Sequence, residues 1–106
     1  MFASEQRKYP RVIPPKSVVA AWQVGTQRGV SFLGSLSVGG LFVRTKEVLP
    51  LRSLIQVLID LPVGQVRCRG IVRRTTERRG VAVQIIAMDP TDRARLFAEM
   101  TRLLLA

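Results

Sequence analysis

The sequence predicts an all-β fold: a six-stranded antiparallel β-barrel, preceded by a flexible basic N-terminal arm and followed by a C-terminal α-helix. Short β-prone segments recur through the middle of the chain and are separated by turn-like stretches, a spacing typical of closed antiparallel barrels. The last segment changes to helical periodicity. The 106 residues fit a single domain, 1–106, with one core.

The predicted arm covers residues 1–16 and contains the stretch EQRKYPRVIPP, residues 5–15. Pro10 disfavours helical geometry at Tyr9, so the segment is expected to be extended or turned. In an extended chain, the even spacing of Arg7 and Arg11 places both guanidinium groups on one side. Few apolar residues anchor the arm, so it is expected to be mobile without a ligand. Such an arm is either a solvated tail or a clamp for an anion.

The barrel is predicted over residues 17–88, with strands at 17–24, 30–37, 41–45, 53–61, 66–75 and 81–87. Turns are expected at 25–29, 62–65 and 76–80. The clearest alternation is VRCRGIVRRT, residues 66–75, in which small or apolar residues alternate with arginines. The single cysteine, Cys68, falls on the apolar side of this strand. It is therefore expected to be a buried structural thiol.

The helix is predicted over residues 89–105, with Asp89 as the N-cap and Pro90 at the first helical position. A stripe at helical spacing is predicted to face inward: Leu96, Phe97, Met100, Leu103 and Leu104. The charged residues are predicted to lie mainly outside: Arg93, Arg95, Glu99 and Arg102. The apolar stripe either closes one end of the barrel or forms a dimer interface, so a monomer and a homodimer both stay open.

The charge balance indicates an anionic partner. Seventeen Lys and Arg residues against seven acidic ones give a net charge of +10 at pH 7, which predicts a polyanionic or phosphorylated partner. The excess of arginine over lysine favours forked recognition of phosphates or guanine edges. Nucleic acid, an anionic membrane surface and a small phosphate ligand all fit. The few aromatic residues lie in apolar contexts and do not indicate a stacking platform for nucleic acid.

The composition argues against an enzyme, a metal site and a cofactor. The chain has no histidine and one cysteine, so no nucleophile has a histidine base and no multi-cysteine metal site is available. The acidic residues form no evident acid–base pair. No apolar run reaches the roughly 18 residues that cross a bilayer, and the charged first segment does not resemble a signal peptide. A cytoplasmic protein without membrane insertion is expected.

The stretch SLSVGG, residues 35–40, lies at the junction of two predicted strands. Ser35 and Ser37 share a face of the strand, while Gly39 and Gly40 permit backbone conformations that other residues avoid. A β-bulge at this junction would turn amides and hydroxyls toward a ligand on the barrel surface.

With these two motifs in this order, the sequence resembles the PilZ domain, the bacterial receptor module for cyclic di-GMP. That family carries RxxxR just before its first strand and [D/N]xSxxG between its second and third strands. The corresponding stretches here are RKYPR, residues 7–11, and SLSVGG. The resemblance covers nearly the whole chain and implies a PilZ-type β-barrel.

The resemblance also implies a binding site. Arg7 and Arg11 would grip the phosphates and guanine Hoogsteen edges of cyclic di-GMP, Ser37 would offer a hydroxyl, and Gly40 would allow close approach of the ligand. The lesser candidates are Lys8, Val38 and Gly39. Ser35 stands where the family has Asp or Asn, and its single oxygen reaches less far. The loss of one polar contact costs roughly 1–3 kcal/mol, so binding is expected to be weakened but is not excluded.

The implied function is that of a receptor which couples cyclic di-GMP, through ordering of the arm, to an unidentified effector protein in motility, biofilm formation or surface behaviour. Two alternatives stay open. One is a degenerate PilZ domain that acts as a protein–protein adaptor and binds no nucleotide. The other is a small basic barrel that binds nucleic acid.

Overall fold

The computed structural model describes residues 9–105, which form a closed barrel of six antiparallel strands and one helix. The elements are β1 (Val19–Val24), β2 (Gln27–Leu36), β3 (Gly40–Val43), β4 (Leu54–Leu61), β5 (Gly64–Thr76), β6 (Gly80–Met88) and α1 (Pro90–Leu105). Around the barrel the strand order is β1-β2-β3-β6-β5-β4. The predicted all-β barrel with a C-terminal helix is confirmed.

The first hairpin is tighter than predicted. Its turn comprises only Gly25 and Thr26, and β2 begins at Gln27, which pairs with Val24. Gly29 was expected in the turn, but it lies within β2. A Cβ atom there would come 2.6 Å from the ring of Trp22. Gly29 is therefore needed for the close packing of Trp22 rather than for a turn.

Strand β5 shows how the alternating pattern builds the core. Its inward residues are Val66, Cys68, Gly70 and Val72, and its outward residues are Arg67, Arg69 and Arg73. Cys68 is only 5% exposed. Its burial, with a smaller effect from the negative charge of Asp92, raises the pKa of the thiol to about 12. Cys68 therefore remains a protonated, structural thiol at neutral pH.

Helix α1 packs against the start of β5. The side chain of Arg95 donates to the carbonyl of Gln65 over 2.8 Å, and Asp92 accepts the backbone N–H of Arg67 over 3.2 Å. Leu96 and Met100 enter the core, with 0% and 3% of their surface exposed. The helix thus covers part of the barrel, which agrees with the prediction that it packs against the barrel.

Three positions on the helix were predicted wrongly. Phe97 and Leu104, expected inside, are 61% and 47% exposed, whereas Glu99, expected outside, is fully buried. The buried positions 96, 99 and 100 form another stripe at helical spacing. The helix is thus rotated about its axis relative to the prediction. Glu99 can be buried because the Arg102 guanidinium donates two hydrogen bonds to its carboxylate, with Nε–Oε1 and Nη2–Oε2 distances of 3.0 and 2.6 Å. These hydrogen bonds outweigh burial and lower the pKa of Glu99.

Because neighbouring strands are antiparallel, successive connections alternate between the two ends of the barrel. The upper end carries the arm, the β2–β3 turn, the β4–β5 turn and the start of α1. The lower end carries the β1–β2 turn, the β3–β4 loop and the β5–β6 turn. Within residues 9–105, no helix has the length and apolar character needed to cross a membrane.

Candidate functional site

The arm meets the barrel through a single β-bridge. The backbone N–H of Val12 donates to the carbonyl of Leu36 over 3.0 Å, and the N–H of Leu36 donates to the carbonyl of Val12 over 2.9 Å. The pairing is antiparallel, so Arg11 comes opposite Ser37 at the end of β2. Arg11 is exposed, while Val12 packs partly against the core. One arginine of the RxxxR motif therefore lies beside the SLSVGG motif.

The other arm candidates, Arg7 and Lys8, lie outside the described residues. The predicted mobility of the arm, residues 1–16, in the absence of a ligand stays a prediction. In the described part of the arm, Pro14 is buried and the carbonyl of Pro15 accepts the N–H of Val18 over 2.9 Å. The bridge at Val12 and the burial of Pro14 attach this part of the arm to the barrel, and the local turn at residues 15–18 leads into β1.

The hydroxyl of Ser37 organises the turn between β2 and β3. It donates to the carbonyl of Gly40 over 3.1 Å and accepts the N–H groups of Gly39 and Gly40 over 3.2 and 3.0 Å. The N–H of Ser37 also donates to the Gly40 carbonyl, over 2.8 Å. Since a hydroxyl has one donor and two acceptor positions, the capacity of Ser37 is used within the turn. Ser37 thereby holds the shape of the motif.

The two glycines of the turn are required by close neighbours. A Cβ atom on Gly40 would lie 2.7 Å from the carbonyl oxygen of Val83 in β6. A Cβ atom on Gly39 would lie 2.8 Å from the ring of Tyr9. The Gly39 carbonyl accepts the N–H of Ile85 over 3.0 Å. The turn is therefore clamped between the arm and β6, and side chains larger than hydrogen would disturb it.

Ser35 lies just beyond a β-bulge. The register passes from Leu33 opposite Val43 to Ser35 opposite Phe42, which leaves Gly34 as the extra residue. The predicted bulge is thus present, one residue before the motif. Ser35 is half-buried, and its hydroxyl makes no hydrogen bond to another residue in the range 9–105. Unlike the hydroxyl of Ser37, it is not used to hold the turn.

The arm also contacts helix α1. The ring of Tyr9 packs on Gly39, and the Tyr9 hydroxyl lies 3.4 Å from Nη2 of Arg93. The Arg93 guanidinium carbon lies 5.9 Å from the ring centroid, within the range of a cation–π contact. A cavity of about 390 Å³ opens beside this pair, between Val38 and Phe97. Val38 itself is 5% exposed and belongs to the core.

Tyr9 and Arg93 were not among the predicted site residues. Tyr9 stands inside the RKYPR stretch, and this position was the only available signal. Arg93 looked like an ordinary exposed helix residue. Their contact joins positions 84 residues apart, and sequence periodicity carries no information about such a pairing.

A concave surface larger than the cavity beside Tyr9 lies elsewhere. It is an open groove of about 1010 Å³ on the outside of β1, β4 and β5. Its charged lining includes Arg67, Arg69, Asp89 and Asp92. It contains neither motif. Because acidic and basic side chains both line the groove, it is less suited to bind a dianion than the basic arm is. Size alone therefore does not make it the candidate site. Residues 9–105 also contain no group of three or more His, Cys, Asp or Glu side chains that could hold a metal ion.

Comparison with known proteins identifies the architecture. The PilZ domain family matches residues 5–102. Among solved structures, MotI/DgrA, the inhibitor of motility from Bacillus subtilis, matches with a TM-score of 0.82 and 19% identity, covering 93% of this chain and 51% of its own. The MrkH–c-di-GMP complex from K. pneumonia matches with a TM-score of 0.77 and 16% identity, covering 93% of this chain and 52% of the MrkH chain. The PilZ domain of Escherichia coli YcgR with c-di-GMP matches with a TM-score of 0.76 and 16% identity, covering 92% of this chain and 90% of the YcgR chain.

At these identities the structural matches establish the fold. The chain spans about half the length of the MotI and MrkH chains but nearly all of the YcgR domain. A search of curated proteins finds no match.

Proposed function

The chain belongs to the PilZ domain family, and from this premise we propose that it is a receptor for cyclic di-GMP. PilZ domains are receptor and adaptor modules, so no catalytic family is indicated. Two of the structural relatives, MrkH and the YcgR domain, are complexes with c-di-GMP. The receptor would work in the cytoplasm and pass the signal to an effector protein in motility, biofilm formation or surface behaviour.

One observation carries the proposal: the bridge between Val12 and Leu36. It brings Arg11, the second arginine of RxxxR, alongside Ser37 of the SLSVGG turn. Arg11 of the first family motif and the SLSVGG turn, 24 residues apart from Arg11 to Ser35 in the sequence, thereby lie side by side at the upper end of the barrel. A ligand on the turn would lie within the reach of a long, exposed arginine side chain.

The chemistry of Arg11 suits this ligand. A guanidinium can donate two parallel hydrogen bonds to O6 and N7 of guanine or to a phosphate, and its plane can stack on a base. In our proposal, Arg7 supplies the second guanidinium and closes the arm over the nucleotide, with Lys8 in a lesser role.

The residues of the β2–β3 turn would give the nucleotide site its rigidity and its polar surface. Ser37 would act mainly by holding the backbone of Gly39 and Gly40, because its hydroxyl is already hydrogen-bonded inside the turn. Gly40 would let the ligand approach, and Val38 would support the turn from the core. Ser35 would face the guanine edge, with a shorter and weaker acceptor than Asp or Asn.

The signal would leave the site through Tyr9. This residue lies between the two motif arginines, packs on Gly39 and touches Arg93 of helix α1. A nucleotide that orders Arg7 and Arg11 must reposition the intervening residues of the arm. The Tyr9–Arg93 contact would then change together with the ligand, which exposes or hides a surface for the effector.

Isothermal titration calorimetry with cyclic di-GMP tests the proposal. The wild-type chain should bind, and Arg7→Ala and Arg11→Ala should each lower the affinity at least about tenfold, since each removes a charge-assisted, forked contact. Arg69→Ala is the matched control. It removes an equal charge from an exposed position on β5 and should leave the affinity within about threefold.

The alternatives predict other results. A degenerate adaptor would fold normally and show no heat of binding with cyclic di-GMP. A nucleic-acid-binding barrel would lose affinity equally in Arg11→Ala and Arg69→Ala, and its binding would fall steeply with salt. Either result would refute the receptor proposal.

A further inference from the structure

We infer that the lower end of the barrel is a docking surface for an anionic phospholipid bilayer. This lower surface consists of the β3–β4 loop, residues 44–53, and the β5–β6 turn with the adjoining strand end, residues 73–79. It is separate from the candidate nucleotide site at the upper end, so the inference does not depend on nucleotide binding.

The two segments form one surface because the loop begins and ends beside the β5–β6 hairpin. At its start, Arg44 follows Val43, whose partner in β6 is Val81, next to the turn. At its end, the N–H of Arg52 donates to the carbonyl of Val72 over 2.7 Å, and the N–H of Val72 donates to the carbonyl of Ser53 over 3.0 Å.

The lower surface is strongly cationic. Its two segments contain seven Lys and Arg residues and two acidic ones, which is a net +5 out of the +10 of the whole chain. The two salt bridges formed among residues 9–105, Asp92–Arg95 and Glu99–Arg102, both lie on α1. Glu47 accepts a hydrogen bond from Gln27 over 2.9 Å instead of pairing with an arginine. In the part of the chain that the structure describes, none of these seven cationic side chains forms a salt bridge, so their charge is presented to the solvent.

Two apolar side chains of the β3–β4 loop are exposed among these charged residues. Val48 and Leu51 are 85% and 57% exposed. Between them, Leu49 is buried to 1% exposure and anchors the loop in the core, so the loop is held with its apolar tips outward. Apolar tips within a cationic rim match the boundary between headgroups and acyl chains in an anionic bilayer.

Nucleic acid explains the charge but not the apolar tips. A phosphate backbone gains nothing from Val48 and Leu51, and the lower surface contains no aromatic residue on which a base could stack. A bilayer uses both features of the surface.

The backbone supplies a further reason to assign a role to the arginines. Among residues 9–105, the non-glycine residues with positive φ are Arg52, at 68°, and Arg78, at 60°. Both lie on the lower surface. Glycine would adopt this left-handed conformation with less strain. Arginine at both positions is expected where the side chain itself is used.

Cosedimentation with vesicles tests this inference on the full chain. Wild-type protein should bind vesicles of phosphatidylcholine mixed with phosphatidylglycerol and should not bind phosphatidylcholine alone. Arg52→Gly/Arg78→Gly should weaken binding about 25-fold, at roughly a factor of five for each charge near the surface. Because glycine relieves the left-handed backbone, thermal unfolding of this variant should occur at the same or a higher temperature. A loss of binding could not then be attributed to misfolding.

Two further variants make the test specific. Arg67→Gln/Arg69→Gln removes the same net charge from the outer face of β5, away from the lower surface, and should keep the affinity within about threefold. Val48→Ser/Leu51→Ser changes no charge and should weaken binding about tenfold through lost apolar burial.

Three results would overturn the inference. The first is an absence of binding between the wild type and phosphatidylglycerol vesicles. The second is a loss of affinity in Arg67→Gln/Arg69→Gln as large as that in Arg52→Gly/Arg78→Gly. The third is tighter binding of duplex DNA than of the vesicles, with neither affinity changed by Val48→Ser/Leu51→Ser, in which case the lower surface is a nucleic-acid site.

Discussion

Val12 and Leu36 exchange two backbone hydrogen bonds, and this bridge joins the arm to the strand that leads into the Ser37 turn. Arg11 is the neighbour of Val12 and Ser37 is the neighbour of Leu36. The bridge therefore helps to set the position of the arginine relative to the turn, together with the packing of Tyr9 on Gly39. Loss of the bridge should loosen Arg11 from the turn without disturbing the barrel.

Val12→Pro should weaken cyclic di-GMP binding about fivefold. Proline removes the N–H that donates to Leu36, and a single backbone hydrogen bond contributes about 1 kcal/mol. Calorimetry measures the change. Ile13→Pro is the control, because Ile13 is 83% exposed and its N–H takes no part in the bridge. Equal losses in both variants would show that the bridge does not position Arg11.

Ser37→Ala should destabilise the fold by about 1–2 kcal/mol, because the N–H groups of Gly39 and Gly40 lose their hydroxyl acceptor. Urea denaturation measures the free energy of unfolding. Ser35→Ala removes the same atom two residues away, where no such bonds are made, and should cost less than about 0.5 kcal/mol. If the two variants are equally stable, Ser37 does not organise the turn.

Ser35→Asn should tighten cyclic di-GMP binding by about 1 kcal/mol, or roughly fivefold, because it supplies the longer acceptor that the family has at this position. Asn is preferred to Asp, since Asp adds a negative charge beside a ligand with two phosphates. Calorimetry compares Ser35→Asn with the wild type. An unchanged affinity would mean that Ser35 does not face the guanine edge.

Arg102→Ala should destabilise the fold at neutral pH and not at acid pH. The pKa of Glu99 is lowered in the folded chain, so the pair contributes stability above the unfolded pKa of about 4.3, and this stability is lost as the pH falls through the folded value. Arg102 is 54% exposed, so solvent screens the pair and the expected effect at neutral pH is modest.

Urea denaturation as a function of pH measures this effect. In a Glu99→Gln background, Arg102→Ala should have little further effect, because the carboxylate it serves is gone. A penalty for Arg102→Ala that does not change with pH would contradict the assigned role of the pair.

The barrel could be predicted from the sequence because alternation reports directly which face of a strand is buried. Gly29 could not be placed, since a glycine in a turn and a glycine beneath a tryptophan ring look alike in a sequence. The rotation of α1 was also ambiguous. Leu96 and Met100 belong to two overlapping stripes, and apolarity favoured the one with Phe97. The two hydrogen bonds that Arg102 donates to Glu99 allow the stripe that contains this carboxylate to be buried.

The candidate site was predictable only as two separate motifs. Their juxtaposition depends on the bridge at Val12, a residue without any distinctive chemistry. The contact of Tyr9 with Arg93 depends on where α1 begins relative to the arm. Both are consequences of tertiary packing, to which local sequence patterns do not respond.

The most direct test of the central claim is a titration of the isotope-labelled wild-type chain with cyclic di-GMP, followed by amide chemical-shift mapping. We expect saturable shifts concentrated in residues 9–13 of the arm and 35–40 of the turn, with smaller shifts near Arg93. Residues 44–53 and 73–79 of the lower surface should stay unchanged. If no amide shifts at saturating nucleotide, or if the shifts fall in the groove of β1, β4 and β5 instead, the chain does not bind cyclic di-GMP at this site.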